Sequence, residues 1–200
     1  MFSNLVIKET LMNMAFLSVC YNDMRYFYAF IKSVYCKLLA TQNDYSHRKK
    51  GTALKYIEAT LGRIFILRLE HGEKIPAIIQ DFAEKHQINS ALVHFLGGAD
   101  KGSKVVVGPE DGQALKPRKM MTELQGASET LGVGTLFRNE QGNPVLHMHA
   151  AFGREEKTVA GCVREGVDIW QIGEVVMIEL NTSDGSRKIN PTTGFELLEI

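Results

Sequence analysis

From residue 62 onward the chain is a series of short β-branched and aromatic runs separated by glycine, proline, asparagine or charged residues. Runs of this length, bounded by turn formers, are strand signals. Residues 62–70 (GRIFILRLE), 91–96 (ALVHFL), 104–107, 120–124, 132–138, 145–152, 158–163 and 174–180 read as strands, and 195–198 as a closing one. Only residues 74–87 show helical spacing, with apolar Ile75, Ile78, Ile79, Phe82 and Ala83 and with Pro76 in the tolerated first turn. Parallel strands need crossovers of a dozen or more residues, and one helix cannot supply them. The expected class is therefore α/β of the α+β type: a mostly antiparallel sheet of seven or eight strands with one main helix. The connections over 108–117 and 183–193 are long and polar, as loops that carry function often are.

Composition removes several alternatives. Lys plus Arg and Asp plus Glu both number 23, so no global field draws the chain to nucleic acid or anionic lipid. Three cysteines leave one over in any pairing, which points to a reducing, cytoplasmic setting rather than a disulfide framework. The balance hides an asymmetry. In residues 1–54, seven basic side chains face only Glu9, Asp23 and Asp44, and the remainder is correspondingly acidic. Charges at Lys8, Glu9, Asp23, Arg25, Lys32 and Lys37 break the apolar stretch 5–40, so no membrane span is expected. Residues 1–54 read as an N-terminal extension, helical or poorly ordered, with the domain over 55–200. An over-long start assignment would account for it; a helical docking arm is the sharper alternative.

Two glycine-bearing stretches resemble phosphate loops and fail on physical grounds. In residues 97–104 serine precedes lysine, the reverse of the cradle order, and Val105-Val106-Val107 forms a strand where a helix N-terminus is required. Gly132-Val133-Gly134 lacks a third glycine and a following helix. Both fit turns and strand ends.

The stretch that carries chemistry is Val145-Leu146-His147-Met148-His149-Ala150-Ala151-Phe152. Alternation in a strand sends His147 and His149 to one face, about 6–7 Å apart along the backbone, and Leu146, Met148 and Ala150 to the core. A polar turn (GREEKT) leads into Val159-Ala160-Gly161-Cys162-Val163. If Phe152 pairs with Val159, Cys162 lies opposite His149 and on its face; an odd loop turns it away. His, His and Cys form a borderline-soft set suited to zinc, with one position left open. Alone, Cys162 reads as a small buried hydrophobe, or as a nucleophile beside an imidazole. Glu129 and Glu174 are candidates to receive the imidazole N–H groups, and Arg154 and Arg164 flank the hairpin. His94, between Leu92 and Leu96, reads as a core histidine, and Trp170 as core or subunit interface.

The segments ILRLEHGEKIPAIIQDFAEKHQINSALVHFLGGAD, GTLFRNEQGNPVLHMHAAFG and TVAGCVREGV together resemble the plant-and-prokaryote-conserved (PPC) domain, over roughly residues 56–200. The resemblance implies the PPC fold, a homotrimer, and a relation in fold to the zinc enzyme acetolactate decarboxylase. Many PPC proteins end the motif Gly-Gly-His where this chain has Gly161-Cys162, an exchange that keeps a zinc ligand. It implies a divalent metal, Zn²⁺, on His147, His149 and Cys162. Stand-alone PPC proteins also carry a DNA-binding label. The chain itself shows no Arg-Gly-Arg hook and no recognition-helix pattern, although Arg118-Lys119, Arg154, Arg164 and Arg187-Lys188 can gather locally. Two functions from different classes follow. One is a DNA-binding or regulatory homotrimer carrying the metal. The alternative is a zinc-dependent enzyme for a small carbonyl or carboxylate compound, with Arg154 or Arg164 holding the anion and Glu129 or Glu174 moving a proton. A metal that only stabilises the trimer is the third possibility.

Overall fold

Strand alternation is realised as eleven strands and one helix in a computed structural model whose described residues are 54–182 and 184–200. The expected N-terminal extension lies outside them, apart from Leu54. In chain order the elements are β1 (Thr60–Glu70), β2 (Lys74–Ile75), α1 (Ala77–Lys85), β3 (Ser90–Ala99), β4 (Lys104–Pro109), β5 (Lys119–Glu123), β6 (Ser128–Arg138), β7 (Pro144–Arg154), β8 (Lys157–Cys162), β9 (Val167–Asn181), β10 (Ser186–Ile189) and β11 (Glu196–Glu199). The main sheet has nine strands in the order β1-β9-β3-β6-β7-β8-β4-β5, with β2 on β9, and every pairing in it is antiparallel. The α+β class with a single helix is as expected.

The parity of each strand decides which side is core. Val93 and Phe95 of β3, Met148 and Phe152 of β7, and Val175 and Met177 of β9 are all buried on one side. Helix α1 closes that side with Ile79 and Ala83, and Gln80 Oε1 accepts a bond from the Leu146 N–H. Leu146, Met148 and Ala150 lie in the core as their spacing predicts. The opposite side stays open and is rich in apolar groups: Ile66 is 84% exposed and Leu131 66%.

Four expectations change. His94 is exposed, because β3 buries its odd-numbered residues and His94 shares the open side with Val133 and Val176. Trp170 is 39% exposed, which removes the core half of its expectation and leaves the subunit-interface half; its ring covers Gly98, where an added Cβ would meet the Trp170 carbonyl oxygen at 2.4 Å. The helical pattern starts late, since Lys74 and Ile75 pair with Asp168 and Val167 as β2. The last strand does not close the main sheet. β11 pairs instead with β10, which forms inside the stretch expected to be loop. Among the described residues no helix is long and apolar enough to cross a membrane.

Candidate metal centre

The β7–β8 hairpin has the even register that brings the three candidate ligands together. Phe152 pairs with Val159 and His149 with Cys162, while Cys162 also pairs with Val106 of β4. His147 lies opposite Thr135 and His149 opposite Val133 on β6. A row thus runs Val133–His149–Cys162–Val106 on the open side of the sheet. Gly161 permits this close contact. A Cβ there would lie 2.3 Å from the Val106 carbonyl oxygen, so only glycine lets β4 seat against β8 at this rung.

The ligand atoms of His147, His149 and Cys162 lie within 4.8 Å of one another. The two Nε2 atoms are 3.2 Å apart. Two nitrogens on one tetrahedral zinc, each at about 2.0–2.1 Å, stand about 3.3 Å from each other. The imidazoles therefore already have the separation that a shared ion imposes, and the donor set fits zinc. Cys162 is buried and its thiol is free of any disulfide, and Arg164 Nε donates to Sγ at 3.2 Å. His147 remains open to solvent as a residue, yet partial burial of its ring, then the positive charge of Arg187, His149 and Arg164, holds its pKa below the usual imidazole value. A ring kept neutral is the metal-ligating form.

The constellation opens into a cavity of about 1530 Å³. Arg118, Lys119, Arg164 and Arg187 line it together with Glu110 and Glu196, and Lys119 is paired with Glu165. Of the four flanking candidates only Arg164 lies there. Glu129 is on the same strand as Val133 but four residues away, about 13 Å along β6. Glu174 pairs with Leu96 and Arg68, farther across the sheet. Arg154 ends β7 and donates to the Ala127 carbonyl at 2.9 Å. Among the described residues no carboxylate bonds to either imidazole.

Arg187 was placed by the sequence only in a local basic patch with Lys188, not beside the imidazoles. It is 3% exposed, and its NH2 group donates to Thr135 O at 3.2 Å and Thr135 Oγ1 at 2.9 Å, beside the rung that carries His147. Burial is the main cause that lowers its pKa; Arg164 adds to the effect and Glu196 opposes it. The signal available was the pair SRKI and ELLE around Asn190-Pro191-Thr192-Thr193-Gly194, of which the second arm reads as a strand and the first, only four residues long, as loop.

A family model of the Plants and Prokaryotes Conserved domain (PCC, also written PPC) matches residues 56–181. The chain belongs to this family. The PPC match ends at the close of β9, so the β10–β11 hairpin and Arg187 lie beyond it. Solved PPC-like structures share the fold. A PPC protein from Pyrococcus horikoshii aligns with a TM-score of 0.64 at 23% identity, over 74% of this chain and 98% of its own. A protein from Archaeoglobus fulgidus, named as metal-containing, aligns with a TM-score of 0.63 at 22% identity, over 74% of this chain and 100% of its own. A protein from Ralstonia eutropha with a provisional DNA-binding name aligns at 0.54 and 17% identity, over 68% and 90%. No curated protein matches the sequence.

Proposed function

We propose that this PPC-domain protein is a homotrimeric, cytoplasmic binding protein that holds one Zn²⁺ on His147, His149 and Cys162 and serves a DNA-binding or regulatory role. The observation that carries the metal is the convergence of two Nε2 atoms and a thiol on one side of two adjacent strands. The metal-containing name of the archaeal relative points the same way. The ion supplies Lewis acidity or a structural tie. The chain's own part is to orient both rings by strand parity and the sulfur by Arg164. The DNA-binding role is supported by the names of the relatives from Ralstonia eutropha and Bacteroides thetaiotaomicron, and by the cations around the cavity. The trimer is supported by the apolar open side of the sheet, which needs a partner to leave water.

A second reading, favoured by the size of the cavity beside the constellation, is a zinc-dependent enzyme acting on a small carbonyl or carboxylate compound, with Arg164 placed to hold its anion. Cobalt titration of the full chain tests the metal. The expected result is the visible absorption of tetrahedral cobalt with a thiolate band that vanishes in Cys162→Ser; octahedral cobalt without a thiolate band contradicts the site. Binding to random duplex at two salt concentrations separates the roles. A steep fall in affinity with salt is expected of DNA contact, and absent binding removes that role while leaving the metal.

A further inference from the structure

We propose that Arg187, delivered by the C-terminal β10–β11 hairpin, and Arg164 form a carboxylate-binding subsite in the wall of the metal cavity. It deepens the small-molecule reading of that cavity and rests on it, but it relies on guanidinium groups rather than on the ion.

Arg187 is a buried cation without a carboxylate in contact. Among the described residues it makes no ion pair, and its Nε is buried with no hydrogen-bond partner. Its NH2 group is spent on Thr135, and its guanidinium carbon stands 5.8 Å from the centre of the Phe137 ring. A charge held out of water with an unmet donor is costly, and stabilisation by an anion is the usual resolution. Among the described residues the carboxylate that acts on it is Glu196, which exerts an electrostatic pull from β11 without a contact, while Arg164 is close enough to repel it. Two guanidiniums against one glutamate leave about one positive charge for a ligand, which suits a monoanion better than a phosphate dianion. The hairpin also turns Phe195, Leu197 and Leu198 into the cavity, each roughly two-fifths exposed. That lining selects an organic acid with an apolar tail over an inorganic ion. A guanidinium fork matches the planar geometry of a carboxylate. The hairpin lies outside the family match.

The test is binding of butyrate to the full chain, zinc-free and zinc-loaded, followed by calorimetry and by two-dimensional NMR, with inorganic phosphate as the comparison. Butyrate is expected to bind both forms and to outcompete phosphate. Arg187→Met and the exposed Arg164→Gln are each expected to weaken it by about tenfold, as loss of a charge-assisted hydrogen bond implies, with zinc content unchanged in Arg187→Met. If Arg187→Met fails to fold, Arg187→Lys decides, because it keeps the charge, loses the fork and is expected to bind several-fold more weakly. Butyrate affinity unchanged in Arg164→Gln and in the folded Arg187 variant overturns the subsite and leaves the small-molecule reading standing. No binding of butyrate to either form overturns both. Arginine-dependent binding to a chain that retains no zinc upholds the subsite while the metal reading fails.

Discussion

At the scale of single residues, the site depends on what is small as much as on what ligates. Gly161 has no room for a side chain against the Val106 carbonyl, whereas Gly112 has nothing within 4 Å of a built Cβ. Gly161→Ala is expected to push β4 from β8, to destabilise the fold by about 1–3 kcal/mol as overpacking does, and to weaken cobalt binding at Cys162. Gly112→Ala is expected to change stability by less than about 0.5 kcal/mol. Chemical denaturation with parallel cobalt titration checks both. The juxtaposition was legible in part: a period of two puts His147 and His149 on one face, whereas Cys162 joins them only if the hairpin loop is even, which the structure shows. The place of Arg187 was not legible, since its burial depends on β6 residues some fifty positions earlier in the chain.

At the scale of elements, the two sides of β3 make opposite predictions. Phe95 is buried and His94 beside it is exposed. Phe95→Ala should cost about 3–5 kcal/mol, and His94→Ala no more than about 0.5 kcal/mol, in urea unfolding. Reading His94 as a core histidine failed because flanking leucines do not reveal which parity faces the helix. β9 was found only in its second half: a register shift opposite Gly97 and Gly98 and a positive φ of 63° at Gln171 interrupt the alternation. The β1–β9 edge carries a pH-dependent tie. Arg63 Nε donates to Glu179 Oε2 at 2.7 Å, and this bond holds the Glu179 carboxyl below its ordinary value of 4.5. The unfolded chain then takes up the proton first as pH falls. The stabilisation is complete above the ordinary value and disappears as pH drops through the lower folded one. Glu179→Gln should therefore melt below the wild type at neutral pH, and the gap should narrow in acid; a gap that widens in acid contradicts the assignment.

At the scale of the whole molecule, the open side of the sheet and the metal cavity share one surface. Ile64 and Ile66 on β1, Val176 on β9 and Leu131 and Val133 on β6 expose apolar groups on the side that bears both imidazoles. The proposed trimer is expected to cover that apolar area, so Ile66→Glu should shift the sedimentation mass toward one chain, and a mass unchanged by the substitution would place the interface elsewhere. The class of fold was legible as a whole because strand signals dominate the domain, and nine strands in one sheet exceed the expected count only by short or irregular members. Of the C-terminal hairpin only the second arm was legible; its partner strand and the pairing were not, because four-residue arms around an Asn-Pro turn carry too little pattern.

The central claim is that two imidazoles and one thiol share an ion. Elemental analysis of the full chain purified without chelator tests it most directly, with His147→Ala and Cys162→Ser prepared alongside. About one zinc per chain in the wild type, falling well below that in both folded variants, is the predicted result. A wild type free of metal, or variants that keep a full complement, would contradict it.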